Sequence, residues 1–132
     1  MNTGPRKLLV IRHRGAGEPS DGHAVCDEIR KHTAGIGSRL VVFHDATEMT
    51  SATAGYALAF KRLDAALAPQ VDLYVCAIPG MIPRMMAHTV AIVSPRDWRI
   101  FDAAAPALAL LRERGFHLAA EPPGGGERVS LH

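Results

Sequence analysis

The sequence predicts an α/β domain with a mainly parallel sheet of four to five strands and about four helices. Short apolar runs alternate with longer amphipathic segments, and glycine or proline separates most of them. This alternation requires right-handed crossovers, which place the strands parallel in one sheet. The 132 residues are 48% apolar and 21% charged, which is enough for one hydrophobic core and is untypical of a disordered chain.

Turn residues and apolar periodicity set the bounds of each element. The predicted strands are 7–13, 39–44, 71–78 and 98–101, and the predicted helices are 21–33, 53–68, 83–93 and 103–114. Gly15 and Gly17 end the first strand, and Ser20 or Asp21 is expected to cap the first helix. The second strand contains the apolar run 40–43, which is typical of a strand covered on both faces.

The later elements follow the same rules. Apolar residues recur at helical spacing on one side of the second helix, at Tyr56, Phe60, Leu63 and Leu67. Its polar residues Lys61, Arg62 and Asp64 are expected mostly on the opposite side. Pro83 suits the first turn of the third helix, and Asp102 is the expected N-cap of the fourth.

The chain is predicted to form one domain with a tail. Residues 1–117 contain all the predicted elements. Residues 118–132 include the run EPPGGGE, whose composition predicts a flexible C-terminal tail.

Charge and apolar content exclude several classes of function. The net charge is +2 and the basic residues are scattered, so nucleic-acid binding is not expected. No window approaches the roughly 18 to 20 apolar residues of a membrane span, and the N-terminus lacks a signal peptide. We therefore expect a cytoplasmic protein without a cofactor; its apolar content allows a homodimer without requiring one. Cys26 and Cys76 lack metal or redox spacing and are expected to be buried free thiols.

The candidate site lies at the carboxyl ends of the strands, where helix N-termini converge with unpaired amide groups. The densest polar stretch there is 44–53. The expected binding residues for a protein partner or small ligand are Asp45, Thr47, Glu48, Thr50, Met81, Arg84, Met85 and His88. Helix capping, worth about 1 kcal/mol, is the competing explanation for Thr50, Ser51 and Thr53.

Part of the chain resembles the STAS and SpoIIAA-like regulatory domains. Those domains place an Asp at the end of a buried strand, followed several residues later by an Asp-Ser-Ser/Thr-Gly turn that opens an amphipathic helix. Here the run 40–45 (LVVFHD) resembles the strand with its Asp, and 53–56 (TAGY) occupies the turn. The segment 98–111 looks like the final strand and helix. The resemblance covers about residues 7 to 115 and implies a SpoIIAA-like βα sandwich.

The resemblance implies a regulatory protein and no enzyme. In sporulation and stress-response members a partner kinase phosphorylates the Ser or Thr of the turn, and the unmodified form binds that kinase to free a sigma factor. That role would fall on Thr53, or on Ser51 if the register shifts by two. Ala52 stands where those members have the acidic residue, and the spacing from Asp45 is one residue short. A phosphate there would face a helix N-terminus but repel Asp45 and Glu48.

Other interpretations stay open beside this one. His13, His44 and His88 could approach one another, but no HxH or HExxH pair fixes two ligands on one element, so no metal is expected. The alternative function is a small-molecule binder or minor hydrolase that uses His44, Asp45 and Arg84. A deep pocket with convergent polar groups would favour this alternative, and a flat surface would favour a protein partner.

Two details of these interpretations depend on the structure. His44 and Asp45 point to opposite faces if both belong to the strand, and then they cannot act as a pair. The methionine-rich segment 81–86 forms either part of the core or an adaptable docking patch.

Overall fold

The computed structural model of the chain describes residues 6–118 and 129–131. Five strands, four α-helices and one short 3-10 helix (Ala68–Gln70) occupy this part of the chain. In chain order they are β1 (Lys7–Gly17), α1 (Pro19–Thr33), β2 (Leu40–Ala52), α2 (Ala54–Leu67), β3 (Val71–Ala77), α3 (Met81–Val93), β4 (Asp97–Phe101), α4 (Ala104–Glu113) and β5 (Val129–Leu131). The predicted alternation of strands and helices is confirmed.

The strands form one sheet in the order β4-β3-β2-β1-β5. β1 to β4 run parallel to one another, and β5 pairs with β1 in the antiparallel direction. The mainly parallel sheet of four to five strands is therefore confirmed. β5 lies within the segment 118–132, where the sequence predicted a flexible tail and no strand. The remainder of that predicted tail, 119–128 and residue 132, lies outside the described residues.

β2 is longer than predicted, because it continues past the apolar run to Ala52. This continuation pairs with the end of β1, where Arg14 lies opposite Glu48 and Gly17 opposite Ala52, with two register shifts. The prediction that this strand ends at residue 44 was therefore wrong, because residues 45–52 continue it. Threonine and serine are compatible with an extended edge, and β-bulges absorb the uneven lengths of the two strands.

Two expected helix caps were also wrong. α1 begins at Pro19, one residue after its N-cap Glu18, instead of after Ser20 or Asp21. Proline suits this position because its fixed φ fits the helix and its missing N–H has no partner to lose. The N-cap of α4 is Ala103, which makes no side-chain capping bond, instead of Asp102.

Helices cover the sheet on both faces. One buried cluster joins Leu9, Ile11 and Val42 to residues of α1 and α2. The other joins Leu8, Val10, Val41 and Phe43 to Ala107 and Leu111 of α4. Alternate residues of β1 and β2 thus face opposite layers, as expected for central strands covered on both sides.

α3 packs more loosely than the other helices. None of its residues is buried. Its exposed apolar side chains are Met81, Ile82, Met85, Ile92 and Val93. Pro83, Met86 and Ala87 of the same helix face the sheet and line a cavity beneath it.

Candidate functional site

A cavity lies at the carboxyl edge of the sheet, between the strands and the helices α2 and α3. It contains about 540 Å³ of space outside protein atoms, part of which is open solvent at its mouth. Most of the lining is apolar, and the polar exceptions are His13, His44, Tyr56, Asp64, Cys76 and Trp98.

Four buried side chains form a continuous hydrogen-bonded line along the cavity wall. Tyr56 Oη lies 2.5 Å from His13 Nδ1, and His13 Nε2 lies 3.0 Å from His44 Nδ1. His44 Nε2 lies 3.3 Å from Asp64 Oδ1. None of the four residues is more than 6% exposed. We call these four residues the polar array.

The fold brings the array together from three elements. Ile11 lies opposite His44 in the ladder between β1 and β2. His13 lies two residues beyond Ile11 and so shares its face of the sheet, next to His44. Tyr56 and Asp64 lie eight residues apart on α2, which is slightly more than two turns of the helix. Both therefore face the sheet, with Phe60 between them.

One assignment of protons satisfies all three bonds of the array. If Asp64 is ionised, His44 donates its Nε2–H to the carboxylate, and His13 donates its Nε2–H to His44 Nδ1. Tyr56 then donates its O–H to His13 Nδ1. This assignment of donors and acceptors is inferred from the network of partners.

Aromatic rings hold the two imidazoles in place. The ring of Phe60 meets that of His13 edge-on, with centroids 4.6 Å apart. The rings of His44 and Trp98 are nearly parallel, with an interplanar angle of 6° and centroids 6.4 Å apart. Trp98 in turn stacks on Tyr74 at 4.2 Å, and Tyr74 donates its O–H to the carbonyl of Asp64 at 2.8 Å. These contacts restrict ring rotation in the array.

Burial keeps the nearby thiols and the Tyr74 phenol protonated. It raises the pKa of Cys76 well above its usual value, and the charge of Asp64 raises it further. The same two causes raise the pKa of Cys26 to about 11 and move that of Tyr74 above its usual range. Both cysteines are buried and free, as predicted. Because the thiolate is the nucleophilic form, Cys76 is unsuited to attack a ligand in the cavity.

The polar stretch after the apolar part of β2 lies beside the cavity mouth and mostly faces solvent. Asp45 Oδ1 accepts hydrogen bonds from the Thr47 amide at 3.1 Å and from Thr47 Oγ1 at 2.7 Å. Glu48 Oε2 lies 2.7 Å from Arg14 Nε. Thr50 is exposed. Asp45 therefore makes contacts separate from those of His44, which agrees with the opposite orientation expected for adjacent strand residues.

The two candidate phosphorylation positions have different surroundings. Thr53 is the N-cap of α2, and its Oγ1 accepts a hydrogen bond from the Tyr56 amide at 3.1 Å. The capping explanation is therefore confirmed for Thr53. Ser51 lies in the extended part of β2 and is exposed.

The predicted residues of α3 are distributed around the start of the helix. Arg84 Nη1 donates to the carbonyls of Ile78 at 3.0 Å and Pro79 at 2.9 Å, so it ties the helix to the end of β3. Met81 and Met85 are 67% and 62% exposed, which excludes the interpretation that they belong to the core. His88 is exposed and does not join His13 and His44.

Sequence reasoning missed the centre of this site. Asp64 was expected on the polar side of its helix, yet it is buried on the same side as Phe60. His13 and His44 were considered together only as metal ligands, whereas they bind each other. The signal that indicates the site is their matching position, since each follows an apolar strand at the same sheet edge, with Tyr56, Phe60 and Asp64 at four-residue intervals on one helix.

The topology and layers of this chain are those of the SpoIIAA-like, or STAS-like, fold. A similar solved structure is that of an uncharacterised protein of the DUF3478 family, described as having a SpoIIAA-like fold, from Shewanella loihica. Its TM-score is 0.62 at 17% sequence identity, over 79% of this chain and 83% of that chain. No family model matches the chain, and no curated protein does. The likeness establishes the fold.

The described residues contain neither a membrane-spanning helix nor a cluster of metal ligands. Between residues 6 and 118 and in β5, no helix combines the length and apolar character needed to cross a bilayer. Across those same residues, no group of three or more His, Cys, Asp or Glu side chains is arranged to hold a metal ion.

Proposed function

We propose that this protein is a non-enzymatic, cytoplasmic regulatory domain that binds a small, largely apolar molecule in the cavity beneath α2 and α3. The observation that carries the proposal is the cavity itself, with its apolar lining and the polar array in one wall. Apolar walls bind the body of a ligand, and a few fixed polar groups orient it. A pocket with convergent polar groups suits a small ligand, whereas a flat surface would suit a protein partner. The presence of the cavity therefore supports a small ligand.

The chemistry of the cavity supports binding without bond cleavage. Cys76 retains its proton, because burial raises the pKa of its thiol. Arg84, the cation expected to assist a hydrolase, is engaged by two main-chain carbonyls. Asp45 bonds to Thr47 and not to His44. The three residues of the hydrolase hypothesis therefore do not converge.

A neutral apolar fluorophore tests this proposal directly. Phenylnaphthylamine titrated into the protein should show saturable fluorescence enhancement with one site per chain. Ala57 on α2 lines the cavity, so Ala57→Phe should fill part of it and weaken binding at least tenfold. Ala66 on the same helix is exposed, so Ala66→Phe is the matched control and should bind normally. Equal binding by both variants would place the probe elsewhere and reject the proposal.

A second candidate function is a protein contact at the rim of the same cavity. The exposed side chains Met81 and Met85 lie on α3, and exposed Thr47, Glu48 and Thr50 lie on β2. Flexible methionines suit adaptable recognition of a partner such as a kinase or another regulator. Wild type and a Met81→Ser/Met85→Ser variant can be titrated against candidate kinases to test this function. The variant should bind with clearly lower affinity than wild type, and equal affinities would reject the contact.

Phosphorylation, if it accompanies that contact, is proposed for Ser51 in preference to Thr53. Ser51 is exposed, whereas Thr53 Oγ1 is engaged as a helix cap. Intact-mass analysis after incubation with ATP and a candidate kinase should show one added phosphate that Ser51→Ala abolishes. Retention of the phosphate in Ser51→Ala, with loss in Thr53→Ala, would assign the site to Thr53 instead.

A further inference from the structure

We propose that the ligand of the cavity carries a long, unbranched alkyl chain, which continues from the cavity into a second groove between α2 and α3. This inference rests on the proposed ligand-binding function and names the chemical class of the ligand. It is supported by the position of the two spaces along the same pair of helices and by the incomplete burial of α3.

The second groove lies beneath the C-terminal half of α3. It contains about 390 Å³ of space outside protein atoms, part of which is open solvent. Lys61 and Ala65 of α2, with the adjoining Ala68, line one side of the groove. Val90 and Val93 of α3 line the other side.

The cavity and the second groove follow one another along both helices. On α2 the lining residues of the two spaces lie three or four positions apart, and they include Ala57, Phe60, Lys61, Asp64, Ala65 and, at the C-cap, Ala68. On α3 the same spacing relates Pro83, Met86, Ala87, Val90 and Val93. Residues at this spacing share one face of a helix. The two spaces are therefore successive parts of one path between α2 and α3.

Asp64 and Trp98 line both spaces and mark the junction between them. The Asp64 side chain is buried and bonded to His44, whereas Trp98 is only partly buried. A buried indole N–H usually has a hydrogen-bond partner, but Trp98 Nε1 has none among the described residues. Within this part of the structure the indole is therefore positioned by packing, and its ring can shift on Tyr74 to admit an alkyl chain.

The inner side of α3 is incompletely buried along its length. Pro83, Met86, Ala87 and Val90 line the path, yet all four are only partly buried. Protein interiors are normally close-packed, and burial of apolar side chains is favourable. A ligand that fills both spaces would cover this side of α3, whereas a ligand confined to the cavity would cover only its first half.

The length of the path indicates the size of the alkyl chain. Pro83 and Val93 lie ten positions apart on α3, which corresponds to about 15 Å along the helix axis. An extended chain of single bonds advances about 1.2 Å per bond, so about twelve carbon atoms span this distance. A linear chain can occupy both spaces and cross the junction at Trp98, whereas a compact ring system fills the cavity alone.

A series of neutral primary alcohols tests the length of the path. Each alcohol competes with phenylnaphthylamine for the cavity, and the displacement of the fluorophore gives the affinity of the alcohol. The affinity should rise about fourfold with each added methylene from hexanol to dodecanol, because each methylene is buried in turn. An affinity that stops rising near hexanol would confine the ligand to the cavity and overturn the inference.

Ala65→Phe should discriminate between long and short alcohols. Ala65 lines the second groove and not the cavity, so this variant should weaken dodecanol roughly tenfold or more and leave hexanol and phenylnaphthylamine unchanged. Ala66→Phe is the matched control, because Ala66 is exposed and lines neither space. It should bind all three compounds normally. Ala65 is also exposed, so its replacement should leave the core intact.

Val90→Phe repeats the test from the other side of the groove, in case one variant fails to fold. Val90 lines only the second groove of the two spaces, so this variant should also weaken dodecanol selectively. Ile92→Phe is its control, because Ile92 is 83% exposed and lines neither space.

The outcomes separate this inference from the proposed function. Failure of phenylnaphthylamine to bind wild type would reject the ligand-binding function itself. Binding of phenylnaphthylamine, with equal affinity for dodecanol in the groove variants and their controls, would overturn this inference and leave the ligand-binding function standing. Equal weakening of hexanol and dodecanol would also overturn it, because the substitution would then act on the cavity.

Discussion

His13 Nε2 and His44 Nδ1 lie 3.0 Å apart, although the two histidines are 31 residues apart in the chain. Each residue follows the apolar part of a central strand, and the parallel pairing of β1 and β2 places both on the same face of the sheet. The two imidazoles connect Tyr56 at one end to Asp64 at the other. The two histidines are buried at the edge of the hydrophobic core and line the cavity.

Replacing His44 should destabilise the protein through Asp64. His44→Leu leaves the buried carboxylate without its imidazole donor, which should lower the free energy of unfolding by about 3 kcal/mol. Urea denaturation followed by circular dichroism measures the change.

The double variant His44→Leu/Asp64→Leu provides the control for this prediction. Because it removes the stranded charge as well as its partner, it should recover a large part of the loss. If the double variant is as unstable as the sum of both single changes, the bond between His44 and Asp64 does not account for the effect.

Thr53 should contribute to stability as a helix cap. Thr53→Ala removes the bond from Thr53 Oγ1 to the Tyr56 amide and should cost about 1 kcal/mol in thermal or urea denaturation. Thr53→Ser retains an acceptor oxygen and should cost much less. Equal losses in the two variants would argue against the cap as the cause.

Stability at alkaline pH should depend on Cys26. The folded protein holds this thiol proton more tightly than the unfolded chain does, because burial raises its pKa from 9.0 to about 11. The contribution of this thiol to the free energy of unfolding is fully present below pH 9 and is lost as the pH rises from 9.0 to about 11. In Cys26→Ala the free energy of unfolding should therefore fall less steeply, by about 1.4 kcal/mol per pH unit. Parallel profiles for wild type and variant would contradict this prediction.

Acid stability should depend on Asp72. Burial would raise the pKa of this carboxyl, but hydrogen bonds from Arg39 and Arg6 outweigh it and hold the pKa below 3.8. The resulting stabilisation is present above that pH and is lost as the pH falls through the folded-state pKa. Asp72→Asn should lower the free energy of unfolding by about 1 kcal/mol at neutral pH.

The difference between wild type and Asp72→Asn should vanish in acid and shrink in high salt, because the ion pairs are partly exposed. Denaturation curves at several pH values and ionic strengths measure both effects. A difference that persists unchanged in acid would exclude the ion pairs as its origin.

The fold was predictable because local patterns and tertiary structure agree. The apolar run 40–43 is buried in the centre of the sheet, and Phe60 and Leu63 pack on it from α2, as periodicity indicated. The boundaries that differ have local causes. Pro19 begins α1 earlier than the expected cap, and the polar end of β2 remains a strand because it has the end of β1 to pair with.

The candidate site was predictable only in its position. The carboxyl edge of the sheet follows from the order of the elements, but the array depends on which side of α2 a charged residue occupies. Asp64 appeared to belong with Lys61 and Arg62 as a solvated group. Its burial is favoured by a hydrogen bond with His44 of β2, and no local sequence pattern predicts that contact.

The pairing of Val129–Leu131 with Leu9–Ile11 gives the C-terminal residues a protective role. An uncovered edge strand exposes main-chain donors and acceptors that recruit strands from other molecules, and β5 occupies that position beside β1. On the opposite side β4 is only five residues long and bears exposed Asp97 and Arg99, which discourage intermolecular pairing. Removal of residues 129–132 should therefore promote self-association, and light scattering would detect it before any loss of helical circular dichroism.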